Sequence, residues 1–186
     1  DIKDKMENTF KDLLPNLLIR YLNLQTSQID ADHWLFHNKI AHRGLHNETY
    51  PENSISSFKQ AISNQYAIEL DIHLLADGEI VVFHDEDLLR VTGNKGLLKN
   101  LTAEDLCQYT LAGSEETIPL LKDVLELVAG KVPLVIEIKN LKRIGKLENQ
   151  LLLLLKDYKG EVAIQSFNHL SLVWFRLKRP EIARGM

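Results

Sequence analysis

Acidic and apolar side chains alternate along residues 67–74, a pattern that could hold a metal ion. Glu69, Asp71 and His73 project to one face of the predicted strand and aliphatic residues to the other. Residues two apart on a strand lie roughly 6.6–6.8 Å apart. Carboxylates that share a buried face repel unless a cation lies between them, and their oxygens suit a hard divalent ion such as Mg²⁺ or Ca²⁺. A solvated polar face is the alternative interpretation, and His73 fits a supporting role as well as solvent exposure.

A third carboxylate lies on the predicted strand at residues 132–139. Glu137 and Lys139 share one face of this strand, and Ile136 and Ile138 share the other. Glu137 would complete a three-carboxylate metal site, while Lys139 could hold a phosphate oxygen and balance the charge. A Glu-x-Lys pair considered alone is more often an ordinary ion pair.

Histidines end two other predicted strands. His42 is followed by Arg43, and His84 is followed by Asp85. An imidazole beside a metal site is suited to proton transfer near neutral pH. Two histidines in matching positions are harder to explain as structural residues than one would be. Arg43 adds a fork of hydrogen-bond donors for phosphate, and Gly44 lets the backbone approach closely.

The elements that position these residues alternate between strand and helix. This alternation predicts an α/β fold with a mainly parallel sheet, either a closed β/α barrel or a doubly wound open sheet. Polar residues at the ends of four or more strands favour the barrel, because an open sheet concentrates them near one switch point. Strands are predicted at residues 39–43, 67–75, 79–84, 132–139 and 161–167, with a sixth beginning in 181–186, and the clearest helices at 120–129, 147–156 and 169–179.

The first 38 residues have a different pattern. Apolar residues recur at helical spacing up to Leu22, with an interruption at Pro15. We therefore expect an N-terminal helical extension, residues 1–38, that packs on a main domain formed by residues 39–186. A membrane-surface helix is the alternative, but its polar face is mixed in charge rather than basic.

Composition excludes several classes of protein. Of the 186 residues, 45% are hydrophobic and 26% charged, as in an ordinary soluble domain. The net charge of -4 gives no reason to expect a nucleic-acid partner. The single cysteine, Cys107, fits a reducing compartment, so we expect a cytoplasmic protein. Because the chain begins at Asp1, an upstream signal or membrane anchor stays an open alternative.

A set of short motifs, in a fixed order from residue 39 onward, resembles the glycerophosphodiester phosphodiesterase family. Each motif is weakly specific alone, but the ordered set is highly specific. The motifs are Ile40-Ala41-His42-Arg43-Gly44, Pro51-Glu52-Asn53-Ser54, Glu69-Leu70-Asp71, Asp77-Gly78, Val81-Val82-Phe83-His84-Asp85, Leu88-Leu89-Arg90-Val91-Thr92, Ile118-Pro119-Leu120-Leu121, Glu137-Ile138-Lys139 and Ser166-Phe167.

The resemblance implies a TIM-type (β/α)8 barrel that uses a divalent metal to hydrolyse glycerophosphodiesters to glycerol 3-phosphate and an alcohol. By motif position it implies metal ligands, an acid/base pair, phosphate-binding cations and a supporting group. The metal ligands would be Glu69, Asp71 and Glu137, and the acid/base pair would be His42 and His84. The phosphate-binding cations would be Arg43 and Lys139, and the supporting group would be Glu52. The implied substrate is a small-molecule glycerophosphodiester.

The pattern departs from the family at the C-terminal end. About six of the eight strands of such a barrel are predicted, so the barrel is expected to be incomplete at that end. Two other functions stay open: a phosphodiesterase directed at lysophospholipids, and a non-catalytic phosphate- or metal-binding barrel. The residues leave open the head group, Mg²⁺ or Ca²⁺, water or a glycerol hydroxyl as the attacking group, membrane contact and the oligomeric state.

Overall fold

Six strands form one sheet in the computed structural model, which describes residues 29–139 and 144–186. Five follow each other in the order β1-β2-β4-β5-β6 with parallel pairing throughout, and β3 pairs with β2 alone. The strands are β1 (Ile40–Ala41), β2 (Ala67–Leu74), β3 (Ile80–Val82), β4 (Leu134–Ile138), β5 (Val162–Gln165) and β6 (Ala183–Gly185).

The strand order separates a barrel from a doubly wound sheet. In a doubly wound sheet the order of the strands reverses at a switch point. Here the parallel strands lie side by side in chain order without a reversal, as in the wall of a β/α barrel. The helices are α1 (Trp34–His37), α2 (Ile55–Ser63), α3 (Leu89–Thr92), α4 (Leu121–Val128), α5 (Lys146–Leu155) and α6 (His169–Lys178), with 3-10 turns at Leu98–Asn100 and Ala103–Gln108.

One face of the sheet forms the main core against the helices. Ile68, Leu70 and Ile72 on β2 are fully buried in the same cluster as Phe58 of α2 and Leu151 of α5. Burying an aliphatic or aromatic side chain stabilises the fold by roughly 1.5–3 kcal/mol. Because side chains alternate along a strand, this packing turns the carboxylates of β2 toward the opposite face.

Strand β3 differs from the sequence prediction in one respect. It runs antiparallel to β2, with Ile72 opposite Val82 and Leu74 opposite Ile80. Counting it as a further wall strand of a barrel was therefore wrong. The reason is the short Asp77-Gly78 connection, which reverses the chain, whereas a parallel neighbour needs a crossover of a dozen or more residues.

Residues 76–118, which we name the excursion, include β3 and α3 and have a small core of their own. Phe83, Leu88 and Leu98 are almost completely buried there. The remaining buried members of this cluster are Leu75, Val81, Val91, Leu106, Leu111 and Ile118. The excursion is therefore a packed unit attached to β2, and it carries several of the polar residues described below.

Most of the predicted helical extension, residues 1–28, lies outside the described residues. The described part contains α1, whose Trp34 and Leu35 pack with Val135 of β4 and Ala163 of β5. No helix among the described residues is long and apolar enough to cross a membrane. The extension of residues 1–38 as a separate unit stays a prediction.

Candidate active site

Three buried carboxylates from β2 and β4 converge. Asp71 is the register partner of Glu137 on the neighbouring parallel strand, and Glu69 precedes Asp71 by two residues on the same face. One oxygen from each carboxylate lies within 4.8 Å of the other two. Each of these residues is at most 6% exposed. The structure therefore brings together the three residues for which the sequence predicted metal binding.

The electrostatics of this triad fit a cation. Burial, together with the charge of Asp71, raises the pKa of Glu69 to about 7. Asp71 Oδ1 is buried and accepts no hydrogen bond from any described residue. Lys139 Nζ lies 3.0 Å from this oxygen but is not aligned for a hydrogen bond. A divalent cation would offset the repulsion among the three carboxylates.

Two cationic side chains flank the triad. Lys139 Nζ donates to Glu137 Oε1 at 2.5 Å, and Arg43 Nε lies 3.5 Å from Asp71 Oδ2. Burial alone would lower the pKa of Lys139, but its ion pairs with Glu137 and Asp71 outweigh burial and raise it. Both cations predicted to bind phosphate thus lie beside the carboxylates.

Two consecutive residues in the loop after β1, Arg43 and Gly44, have positive φ angles. Arg43 has φ of 55°, a left-handed conformation that costs energy for a residue with a side chain. In this conformation its N–H donates to Glu69 Oε2 at 2.9 Å. Gly44 also has positive φ, and a Cβ there would lie 2.2 Å from Ser57 Oγ. The glycine is therefore required by close packing on α2, a reason that the sequence analysis did not foresee.

The two histidines reach the site by different routes. His42 directly follows β1, is largely exposed, and has its Nε2 4.0 Å from Glu69 Oε2. His84 follows the antiparallel β3, where Phe83 N–H donates to the carbonyl of Asp71 at 2.9 Å. The expectation of matching strand ends is wrong for His84, because β3 runs in the opposite direction.

The ring of His84 is held by its neighbour in the chain. Its Nδ1 lies 2.5 Å from Asp85 Oδ1. The hydrogen bonds of Arg90 hold the pKa of Asp85 at about 2, so this carboxylate is ionised and can only accept. Nδ1 must therefore carry the hydrogen, which leaves Nε2 to exchange a proton. His73 Nε2 also contacts the carbonyl of His84 at 2.9 Å, a supporting role that the sequence left open.

Comparison with known proteins assigns the chain to a family. The model of the glycerophosphoryl diester phosphodiesterase family matches residues 42–186. The chain belongs to this family. A glycerophosphodiester phosphodiesterase from Bacillus altitudinis is 40% identical over 155 residues, which cover 77% of this chain and 63% of that protein. Another, from Caldanaerobacter subterraneus, is 37% identical over 158 residues, which cover 79% of this chain and 65% of that protein.

A solved structure agrees with the fold. A phosphodiesterase from Oleispira antarctica, in complex with the product sn-glycerol-3-phosphate, matches with a TM-score of 0.73 and 31% identity over 80% of this chain and 64% of its own. The TIM-type β/α barrel predicted as the fold class is therefore confirmed. The chain spans less than two thirds of the length of each of these three proteins.

Asn53, in one of the family motifs, has a role that the sequence analysis missed. Its Nδ2 donates to Asp71 Oδ2 at 2.9 Å, and it is 1% exposed with φ of 52°. The next residue, Ser54, caps α2. A polar residue directly before a helix cap was the available signal, but its partner lies 18 residues away on another element.

Arg90 is the second residue in a family motif without an assigned role. It donates two hydrogen bonds to Asp85 and two to Glu52. Glu52 in turn accepts from Arg43 Nη1 at 3.0 Å. The hydrogen bonds from Arg90, followed by the charges of both arginines, lower the pKa of Glu52. Glu52 thus contacts Arg43, in keeping with the supporting position that the family resemblance implies.

Proposed function

We propose that this site hydrolyses glycerophosphodiesters to glycerol 3-phosphate and an alcohol in a metal-dependent reaction, as a phosphoric diester hydrolase. The observation that carries the proposal is the buried carboxylate triad with Arg43 and Lys139 beside it. A metal ion and fixed cations suit the charge that develops on a phosphodiester during its hydrolysis. The names of the relatives support this reaction, as does the product bound by the Oleispira antarctica phosphodiesterase.

Glu69, Asp71 and Glu137 would hold the divalent ion. Mg²⁺ and Ca²⁺ are both hard cations that take carboxylate oxygens, and either suits this set. When bound, the metal supplies positive charge that stabilises the phosphate in the transition state.

The phosphate oxygens would be held by the two cations. Arg43 Nε lies 3.5 Å from Asp71 Oδ2, so the guanidinium stands directly beside the proposed metal ligands. Lys139 adds a compact ammonium on the other side of Asp71. Together these groups orient the diester and fix the phosphorus atom beside the two histidines.

His42 and His84 would move the protons. One histidine takes a proton from the attacking group, either water or the neighbouring glycerol hydroxyl, as its oxygen bonds to phosphorus. The other donates a proton to the alcohol oxygen as the bond from phosphorus to that oxygen breaks. With a glycerol hydroxyl as the attacking group, the first product is a cyclic phosphate, which water then opens to glycerol 3-phosphate.

Turnover of glycerophosphocholine by the full-length protein with Mg²⁺ or Ca²⁺ tests the proposal. We expect release of glycerol 3-phosphate, and a loss of roughly 10²–10⁴-fold in kcat for His42→Ala or His84→Ala, the usual contribution of acid/base groups. Calorimetry should show that both variants still bind the metal. His37→Ala, which removes an exposed histidine in α1, is the matched control and should keep full activity.

The same assay separates the alternatives. Faster turnover of a lysophospholipid than of glycerophosphocholine would favour the lipid-directed phosphodiesterase. Binding of glycerophosphocholine without turnover by the full-length protein would favour the non-catalytic barrel and overturn the proposal.

A further inference from the structure

Arg90 lies outside the sheet, yet it occupies the centre of a polar network. It belongs to α3, a helix of four residues in the excursion. Its Nε and Nη2 donate to Asp85 at 2.7 and 3.1 Å, and its Nη1 and Nη2 donate to Glu52 at 2.8 and 2.7 Å. Paired hydrogen bonds from a planar guanidinium fix direction as well as distance. Both carboxylates are thereby held in one orientation.

Each carboxylate held by Arg90 also holds a residue of the proposed active site. Asp85 Oδ1 accepts from His84 Nδ1 at 2.5 Å. Glu52 Oε1 accepts from Arg43 Nη1 at 3.0 Å. The network therefore joins an acid/base histidine from the excursion to a phosphate-binding arginine from the loop after β1.

We propose that Arg90 is a positioning residue that aligns His84 and Arg43 with each other through Asp85 and Glu52. The inference rests on the proposed phosphodiesterase function. Arg90 itself touches none of the three triad carboxylates in the hydrogen bonds and ion pairs of the described residues. Its effect on turnover would pass entirely through the two residues that it orients.

Arg90 has two consequences for His84. A fixed Asp85 holds the hydrogen on Nδ1, so that Nε2 is the nitrogen available for proton transfer. A fixed ring also keeps that nitrogen at one distance from the phosphate, and a misplacement of about 1 Å can cost roughly 10²-fold in rate. Without Arg90, Asp85 is free to rotate away and the ring can adopt either tautomer.

The exposure of Arg90 makes the role testable without loss of the fold. Its side chain is 48% exposed, as is that of Lys122, which forms an ion pair with Glu79 at 3.2 Å. A single exposed ion pair contributes little to stability, and a network that is half exposed contributes only modestly. Lys122→Ala therefore matches Arg90→Ala in exposure and in the loss of a cation, but it leaves the network intact.

The kinetic test uses the full-length protein with Mg²⁺ and glycerophosphocholine. For Arg90→Ala we expect kcat to fall by roughly 10²-fold, with unchanged metal affinity and a Tm lower by only about 2–4 °C. Arg90→Lys should recover less than tenfold, because one ammonium cannot bind both carboxylates in pairs. Lys122→Ala should match the wild type. A fall in kcat of less than twofold for Arg90→Ala, or a fall explained by a lower folded fraction, would overturn the inference.

A second readout does not depend on turnover. In ¹⁵N NMR spectra of the histidine rings of the full-length protein, His84 should carry its hydrogen on Nδ1 in the wild type and lose this preference in Arg90→Ala. Lys122→Ala should retain it. An unchanged tautomer in Arg90→Ala overturns the positioning role, even if the wild type hydrolyses the diester. A wild type without turnover, but with the expected tautomer change, overturns only the proposed function.

Discussion

The carboxylate triad and His84 are held by supports of different kinds. Glu69, Asp71 and Glu137 project from adjacent parallel strands whose opposite face packs in the main core. His84 is carried by the excursion, which has a smaller core of its own. The proposed metal ligands thus depend on the main core, whereas the proposed acid/base group depends on a local unit and on side-chain hydrogen bonds. Metal binding and turnover should therefore respond to different substitutions.

The largest effect is expected at the triad. In Glu69→Gln we expect loss of metal binding and a fall in kcat of roughly 10³-fold or more, because the metal contributes several kcal/mol and each 1.36 kcal/mol is a factor of ten. Without metal the variant should be more stable than the wild type by roughly 1–3 kcal/mol at pH 8, where the wild-type Glu69, with a pKa of about 7, is forced to ionise. Calorimetry and urea unfolding test both.

The sign of that stability change follows from the raised pKa. The folded protein binds more protons than the unfolded chain between pH 4.5 and about 7, so the metal-free wild type should lose stability as the pH rises through this range. Glu126→Gln, an exposed change on α4, is the control and should leave metal affinity, kcat and this pH dependence unaltered. Retention of metal binding in Glu69→Gln would contradict the assignment of Glu69 as a ligand.

A smaller effect is expected for Asn53, a loop residue that donates a hydrogen bond to Asp71 of the triad. Asn53→Ala removes the hydrogen bond to Asp71 Oδ2, and supporting partners of this kind usually contribute 10–100-fold to metal affinity. We expect metal affinity and kcat to fall together, as measured by calorimetry and by turnover. Asn64→Ala, at the exposed end of α2, is the control. A fall in kcat with unchanged metal affinity would contradict this role, because Asn53 would then affect turnover without supporting the metal ligands.

A substitution in the core of the excursion should reduce turnover but leave metal binding nearly unchanged. Leu98→Ala empties a site that is 1% exposed, and such substitutions cost about 2–5 kcal/mol. We expect faster hydrogen exchange across residues 76–118 and roughly tenfold lower kcat, with metal affinity near that of the wild type. Leu134→Ala, a fully buried position in the main core, is the comparison and should weaken metal binding and turnover together. Equal effects of the two substitutions would mean that the regions are one cooperative unit.

The smallest effect is expected on the stability of the protein at low pH. The pKa of Asp85 is lowered to about 2 by Arg90, so its contribution to stability is complete above the unfolded value of 3.8 and is lost as the pH falls through about 2. Asp85→Asn should therefore reduce the acid sensitivity of unfolding between pH 4 and 2, by an amount on the order of 1 kcal/mol because solvent reaches the pair. Asp123→Asn, which is exposed on α4, should not change this slope.

The regular parts of the molecule were predictable from the sequence. Alternation along residues 67–74 and 134–139 places the carboxylates on one face, and parallel pairing of the two strands then brings Glu69, Asp71 and Glu137 together. The helix predicted at 147–156 is observed as Lys146–Leu155, one residue earlier at each end. Periodicity captures these features because the main core requires them.

The loop-borne parts were not predictable for a physical reason. Arg90 and Glu52 are 38 positions apart, and no periodic pattern relates them. Asn53 contacts Asp71 only because the loop adopts a left-handed conformation at that residue. Such contacts are set by tertiary packing rather than by local preference.

The hairpin formed by β2 and β3 also has a consequence for how this enzyme family could diversify. Val82 N–H donates to the carbonyl of Pro119 at 2.9 Å, so the chain returns alongside β3 just before α4 begins. Breaks in the chain before residue 76 and after residue 118 would release the excursion as one cassette. Exchange of this cassette between relatives would transplant His84, Asp85 and Arg90 together. The proposed proton transfer by His84 could then be retuned by recombination while the proposed metal ligands are inherited unchanged.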